Sequence, residues 1–196
     1  MNKKEFVTLI PEPSVSRLFF ADTRLAWVWL VFRLYVGWFW IVVGWKKVLD
    51  PLWTGDRAGL IVTAFIKGAL NKTAGDYPDV SGWYAFILEK LVLPNASFVS
   101  HIVAYGELLV GAGLILGAFT GVAAFFGSLM NMSYLFAGTV SVNPIMALLQ
   151  LFLILAWRVA GWFGIDRYLL PLFGTPWHPG KLFKKQTGSS PGNTTS

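Results

Sequence analysis

Cysteine is absent from the 196 residues. That excludes disulfides, thiolate metal sites, iron–sulfur ligation and covalent carriage of sulfur on this chain, so any such chemistry belongs to a partner. Charge is scarce as well: 13% of residues are Asp, Glu, Lys or Arg, about half of the roughly 25% carried by soluble domains. Histidine occurs twice, as His101 and His178. His178 falls in the tail, so no pair of axial ligands for a haem lies within the apolar runs. Clusters with metal-ligand spacing and glycine-rich phosphate loops are missing too, so neither a metal nor a haem is expected. Before Leu25 there is no long apolar run, and the run that starts there has no small-residue cleavage pattern after it. The start of the chain is therefore expected to be retained rather than removed as a signal.

Apolar residues make up 55% of the chain, and they recur in runs of about 20, the length of a helix crossing a bilayer core. The expected class is all-α: an integral membrane four-helix bundle, with the lipid bilayer as its main partner. The net charge of +6 sits mainly in the flanks of the apolar runs. It reads as topology rather than as a nucleic-acid surface.

Residues 1–24 hold Lys3, Lys4, Arg17, Pro11 and Pro13 and read as a cytoplasmic tail. The membrane domain is expected over residues 25–167, with spans at about 25–45, 98–118, 121–141 and 145–165. Within the first span, Trp38 and Trp40 are expected to pack between helices. The outer segment, residues 46–97, is broken at Asp50-Pro51, Gly75-Asp76-Tyr77-Pro78 and Pro94-Asn95. Its two amphipathic pieces, Arg57 to Leu70 and Ser81 to Leu93, are too short to span and are expected to be interfacial helices. Residues 168–196 read as a second cytoplasmic tail, whose Gly188-Ser189-Ser190-Pro191-Gly192 stretch cannot bury a core. An even number of spans with basic flanks at Arg17, Arg24, Arg167 and Lys181 places both termini of a multi-pass cell-membrane protein in the cytoplasm. Lys46 and Lys47 oppose that orientation, but long outer loops translocate with little regard to charge.

Charged side chains inside spans are costly and therefore informative. Arg33 and Glu107 fall near mid-span, at depths that differ by about one helical turn if spans one and two are aligned at their centres. An Arg33–Glu107 ion pair is the resulting expectation, with both residues as candidate catalytic groups. Arg33, Gly37, Trp40, Gly44 and Lys47 follow steps of four and three and so share one face. Ala104, Glu107, Gly111, Leu114 and Ala118 form a second stripe. Gly127, Asn131, Tyr134, Gly138 and Ser141 form a third, and Ala147, Gln150 and Ile154 a fourth. Small residues on the faces that carry polar groups mark those faces as the packed ones. Arg33, Glu107, Asn131, Tyr134 and Gln150 are therefore expected to line one interior site. The plain alternative is a network that only fixes helix register. His101 lies near the outer start of span two, off the Glu107 stripe, where an interfacial histidine is ordinary. Gly113 to Gly117 is a small-xxx-small step of the kind that also serves homo-oligomers.

Arg33-Leu34-Tyr35-Val36-Gly37, followed by Gly44 and Lys47, resembles the first-helix signature of the DoxX/DoxD membrane-protein family. Glu107-Leu108-Leu109-Val110-Gly111 with Gly117 resembles its second-helix segment. Asn143-Pro144, then Gly161-Trp162-Phe163-Gly164-Ile165-Asp166 and Pro171, resembles the DoxD-type fourth helix and its exit. The resemblance implies a four-helix membrane protein. For DoxD it implies a subunit of thiosulfate:quinone oxidoreductase, which converts thiosulfate to tetrathionate with a membrane quinone as electron acceptor and works with a DoxA-like partner. On that reading Arg33 and Glu107 form an intramembrane site, with Lys47, His101, Asn131, Tyr134 and Gln150 as substrate- or quinone-binding residues. Lys46, Lys47 and His101 are the outer candidates for the anion. Two other function classes fit the same residues: a scaffold that anchors a redox partner, and a solute or proton carrier with Glu107 as the titrating group.

Overall fold

The computed structural model describes residues 12–174, so the expectations for the two chain ends beyond them lie outside the described residues. Within that stretch the chain is helical, with no strand. The helices are α1 (Ser14–Ala21), α2 (Ala26–Leu49), α3 (Pro51–Thr54), α4 (Leu60–Leu70), α5 (Gly82–Ile87), α6 (Ala96–Leu116), α7 (Thr120–Phe136), α8 (Asn143–Leu155), α9 (Trp157–Ala160) and α10 (Asp166–Phe173). Two helical runs are long and apolar enough to cross a membrane, Thr23–Leu49 and Gly82–Leu116. The expected third and fourth spans correspond to shorter helices. α7 ends where Gly138 turns left-handed at φ +69°, and α8 stops at Leu155 before the Ala156 turn.

Glycines set the register of α2 against α6. A Cβ on Gly44 would lie 2.6 Å from Leu108 N, and one on Gly111 would lie 2.6 Å from Ile41 N. Backbones this close leave no room for any side chain, so the helices lock antiparallel at these crossings. Gly37 meets Leu114 Cβ and the Ile115 side chain in the same register. α7 returns antiparallel along α6, with Gly113 against Ala123 and Gly106 against Met130. α8 and α9 return along α7, with Gly127 against Gln150 of α8 and Gly121 against Trp157 of α9. Gly113 thus spends its small face on α7 within the chain, and Gly117 packs against Arg33 and Gly164. The core between these helices holds Trp29, Val36, Trp40, Val110, Leu114, Met146 and Leu153.

Residues 50–95 build a cap at one end. Asp50 accepts from Leu52 N and Pro51 occupies the first position of α3, an ordinary helix start. The second expected interfacial piece is not a separate helix. α5 runs through a π-helical turn, Leu88–Val92, and a 3-10 turn, Leu93–Asn95, into α6. Pro94 is tolerated because it stands at the start of a helical turn, where a missing N–H costs nothing. The run is nevertheless bent. Tyr84 OH donates to Ser133 O at 2.8 Å, and Trp83 packs edge-on to Phe136. Ser133 stands beside the first half of α6, whereas a straight run would carry Tyr84 roughly 28 Å past that level at 1.5 Å per residue. α5 therefore folds back along the bundle, and with α4 it encloses a second core of Val62, Ile66, Val80, Leu88 and Ala96.

The polarity of the fold is inverted relative to a soluble protein. Trp27, Trp38, Phe98 and Leu109 are all more than half exposed, while Arg33, Glu107, Asn131, Gln150 and Asp166 are buried. Trp40 packs between helices as expected; Trp38, two residues away, instead belongs to the apolar exterior.

Candidate functional site

Arg33 and Glu107 do not meet. The glycine crossings place Gly44 opposite Glu107 and Leu108, and Arg33 opposite Gly117. Arg33 therefore stands about 11 residues, or roughly 16 Å, along α2 from the level of Glu107. Aligning the apolar runs at their centres misjudges this register by about two helical turns. α2 extends to Leu49, and the close glycine contacts, rather than the run centres, decide which residues face each other.

Glu107 pairs with Lys47, whose Nζ lies 2.5 Å from Oε1. Tyr134 OH donates to the same oxygen at 2.8 Å, and Lys47 Nζ lies 3.3 Å from Tyr134 OH. Three elements converge here. Lys47 comes from the last turn of α2, Glu107 from the middle of α6 and Tyr134 from the last turn of α7. The Glu107 side chain is 1% exposed and that of Lys47 16%, so the pair is removed from solvent and each charge depends on the other. Glu107 Oε2 is buried and has no hydrogen-bond partner among the described residues.

Trp53 completes the setting. Its ring lies 4.5 Å from Lys47 Nζ, and its carbonyl accepts from Ser100 Oγ at 2.6 Å, which fixes α3 to α6. Sequence reasoning overlooked Trp53; the available signal was its place just after the Asp50-Pro51 helix start. Phe65 of α4 packs edge-on to Tyr134. Lys47, Trp53, Phe65 and Tyr134, with Tyr84 and Asn143, line a cavity of about 450 Å³ between the cap and α6 and α7. Among the described residues Lys47 is the one charged residue on its wall, and most of the remainder is aliphatic or aromatic. Size and composition match small-molecule sites, which are roughly 300–1,000 Å³, mostly apolar and furnished with a few placed polar groups.

The other expected site residues divide into three groups. Asn131 Nδ2 donates to Gln150 Oε1 at 2.7 Å, a buried clamp between α7 and α8. The two side chains stand one to two turns deeper than Tyr134 and do not line the cavity. His101 is also separate from it: the ring nitrogens lie 2.8 Å from Ser97 O and 3.2 Å from Thr54 O, and the ring stacks on Tyr105. Asn143 and Pro144 open α8, with Asn143 Nδ2 donating to Thr139 O at 2.9 Å.

The third group sits at the opposite end of the bundle. Arg33 donates to Ala160 O at 3.3 Å and to Phe163 O at 3.1 Å. Asp166 accepts from Phe119 N at 2.6 Å and Thr120 N at 2.8 Å, so its carboxylate caps the N-terminus of α7. Asp166 N in turn donates to Gly117 O at 2.7 Å. Gly117 has φ +64° and ends α6 in the left-handed conformation that favours glycine. A Cβ there or on Gly164 would run into the Arg33 guanidinium. Gly117, Gly164, Asp166 and Arg33 thus form one packed joint between the α6–α7 turn and the end of the described chain. Its contacts are those of a structural lock, remote from the cavity.

Long apolar helices with apolar outer faces, and polar side chains such as Arg33, Glu107, Asn131 and Gln150 buried between them, mark an integral membrane protein built from helices. The DoxX family profile matches residues 28–140, more than half of the sequence. The chain belongs to the DoxX family. No curated protein and no solved structure matches it.

Proposed function

We propose that this chain is a membrane subunit of a quinone-linked oxidoreductase, with four spans formed by α2, α6, α7 and α8 and with both termini in the cytoplasm. The observation that carries the reading is the apolar cavity with Lys47 and Tyr134 on one wall and Glu107 buried behind them. A quinone head group is planar, apolar over most of its surface and polar at its carbonyls. Lys47, with ammonium protons beyond the one given to Glu107, is the hydrogen-bond donor for a carbonyl, Trp53 offers an aromatic face, and the Glu107 carboxylate accepts from Lys47 and Tyr134 and so can exchange protons with both. The quinone supplies the electron-accepting chemistry.

By resemblance, the electron donor is a small sulfur compound, thiosulfate, which is oxidised to tetrathionate. On this reading Lys47 is not the anion site, because Glu107 already compensates its charge. A dianion brought beside Glu107 would meet repulsion in a poorly solvated cavity. Sulfur oxidation is therefore assigned to a partner subunit of the DoxA-like kind, and this chain receives electrons and supplies the acceptor site.

Binding of a short-chain quinone analogue to the purified protein in nanodiscs tests the site. Saturable binding that Trp53→Ala and Tyr134→Leu weaken is the expected result. A folded wild-type protein that binds no quinone would remove the proposal. A scaffold role is favoured by one observation, the wholly internal partners of Arg33, Asn131 and Gln150. In that case Glu107→Gln would change only assembly with the partner.

A further inference from the structure

α5 and the π turn after it form a wall with two unlike faces. Tyr84, Leu88 and Val92 line the cavity that Lys47 also lines. Trp83, Phe86 and Leu91, from the same run, are more than half exposed on the outside of the molecule. That exterior is apolar, and in a membrane protein it is the side that meets lipid. A single helical layer therefore stands between the cavity and the bilayer here.

The layer fills a gap between α6 and α7. Near their connecting turn the two helices touch: a Cβ on Gly113 would lie 3.1 Å from Ala123 Cβ. At Gly106 the nearest atom to such a Cβ is Met130 Sδ, 3.9 Å away. From that level outward, Val99 and Val103 of α6 and Met130 and Ser133 of α7 are walls of the cavity. The helices thus splay toward the cap, and α5 closes the opening.

α5 is anchored at its ends and held lightly between them. Before it, Val80 is fully buried and its N–H donates to Lys72 O at 3.3 Å. Lys72 Nζ in turn donates to Gly138 O at 2.7 Å. After it, Leu88 and Ala96 are buried in the core of the cap. Between these anchors, among the described residues, one hydrogen bond ties α5 to the bundle, from Tyr84 OH to Ser133 O. Trp83 and Tyr84 also pack on the Phe136 ring. The helical ladder is interrupted where the run bends into α6: Leu88–Val92 is a π turn, and Pro94 has no N–H to donate.

We propose that the cavity takes its ligand from the lipid phase, through a lateral gate formed by α5. Tyr84 is the latch on Ser133, and the π turn at Leu88–Val92 is the hinge. Ser133 O also accepts from Ala137 N at 3.2 Å, so opening the latch leaves no orphaned carbonyl. Val103 and Met130, uncovered by the opening, lose little, because lipid tails are as apolar as the side chains that leave them. The ligand class that follows is a membrane-dissolved lipophile with a polar head. This rests on the cavity as the ligand site of the proposed function, and a membrane quinone is one such lipophile. Thr139, Ser141 and Asn143, on the cavity wall at the α7–α8 turn, mark the competing route, from water.

Val103→Cys in the otherwise cysteine-free full chain reports access to the cavity. In nanodiscs, and normalised to Tyr77→Cys at its exposed cap position, a dodecyl maleimide should label it about tenfold faster than a sulfonated, water-soluble maleimide. Tyr84→Phe keeps the ring and removes the latch, and should raise the dodecyl maleimide rate roughly fivefold. The same variant, with Val103 intact, should raise the association and dissociation rates of a quinone analogue together and leave its affinity within about twofold. A merely structural Tyr84 would lower the melting temperature without that paired change. Faster labelling by the water-soluble reagent, no labelling by either, or a rate that Tyr84→Phe leaves unchanged would overturn the gate. If the wild-type protein binds no quinone analogue, the quinone reading fails instead, and the labelling still judges the gate.

Discussion

Lys47 and Glu107, 60 residues apart in sequence, meet with Nζ 2.5 Å from Oε1 at the wall of an apolar cavity. Each is the other's counter-charge in surroundings that solvate neither. Lys47→Met should destabilise the protein by about 3 kcal/mol, because it leaves Glu107 buried and unpaired. Glu107→Leu should cost a similar amount. Lys47→Met with Glu107→Leu should cost much less than the sum of the two. Thermal unfolding of the two single variants and the double variant in one detergent gives the coupling, which a pair in contact requires to be large.

Gly44→Ala and Gly111→Ala should each cost about 1–3 kcal/mol. At both positions the new methyl group would stand 2.6 Å from a backbone nitrogen of the facing helix, so the helices must separate. Gly68→Ala in α4 is the control: nothing lies within 4 Å of its Cβ position. There the higher helix propensity of alanine should make the change neutral or slightly stabilising. Melting temperatures that rank all three variants alike would contradict the crossings described.

Asp166→Ala should cost about 1–2 kcal/mol through loss of the α7 cap. The effect should be local. Hydrogen exchange should accelerate at Thr120 and its neighbours, while peptides around Lys47 and Tyr134 stay protected. Exchange that rises equally at the cavity end would show the two ends of the bundle to be one cooperative unit.

The natural absence of cysteine makes the chain a ready background for topology mapping. Tyr77→Cys, at a fully exposed site in the cap, should react with a membrane-impermeant maleimide from outside the cell. Ser14→Cys in α1 should react only after permeabilisation. The reverse pattern would invert the proposed orientation.

Much of this arrangement was legible in the sequence. Apolar run lengths located α2 and α6, and helical spacing found the faces that bury Trp40, Gly44, Glu107, Gly111, Asn131 and Gln150. Spacing along one helix, however, says nothing about register between helices. That depends on which backbone atoms approach at Gly44 and Gly111, and it transferred Glu107 from Arg33 to Lys47. Trp53 and Tyr84 come from the outer segment 46–97, whose sequence predicts short interfacial helical pieces, Tyr84 within one of them, but not what they pack against. Tyr84 reaches the cavity wall through the fold-back at Leu88–Asn95 and Trp53 through the attachment of α3 to α6 at Ser100, tertiary effects with no local signal. Asp166 stood out through family resemblance alone, and Gly117 through resemblance and a small-xxx-small step; the physical reason, a cap on α7 and a left-handed turn beside Arg33, became visible only once the chain was folded.

The central claim is that Lys47, Glu107 and Tyr134 furnish a quinone site, and Glu107→Gln tests it most directly. Glutamine keeps the shape of the side chain and hydrogen-bonding capacity, but neither the charge nor the transferable proton. Quinone-analogue binding and donor-driven quinone reduction should be measured on the folded variant, with its partner subunit present. The account predicts binding within about tenfold of wild type and a fall in the reduction rate of roughly 100-fold. Wild-type reduction rates in a folded Glu107→Gln protein would contradict it.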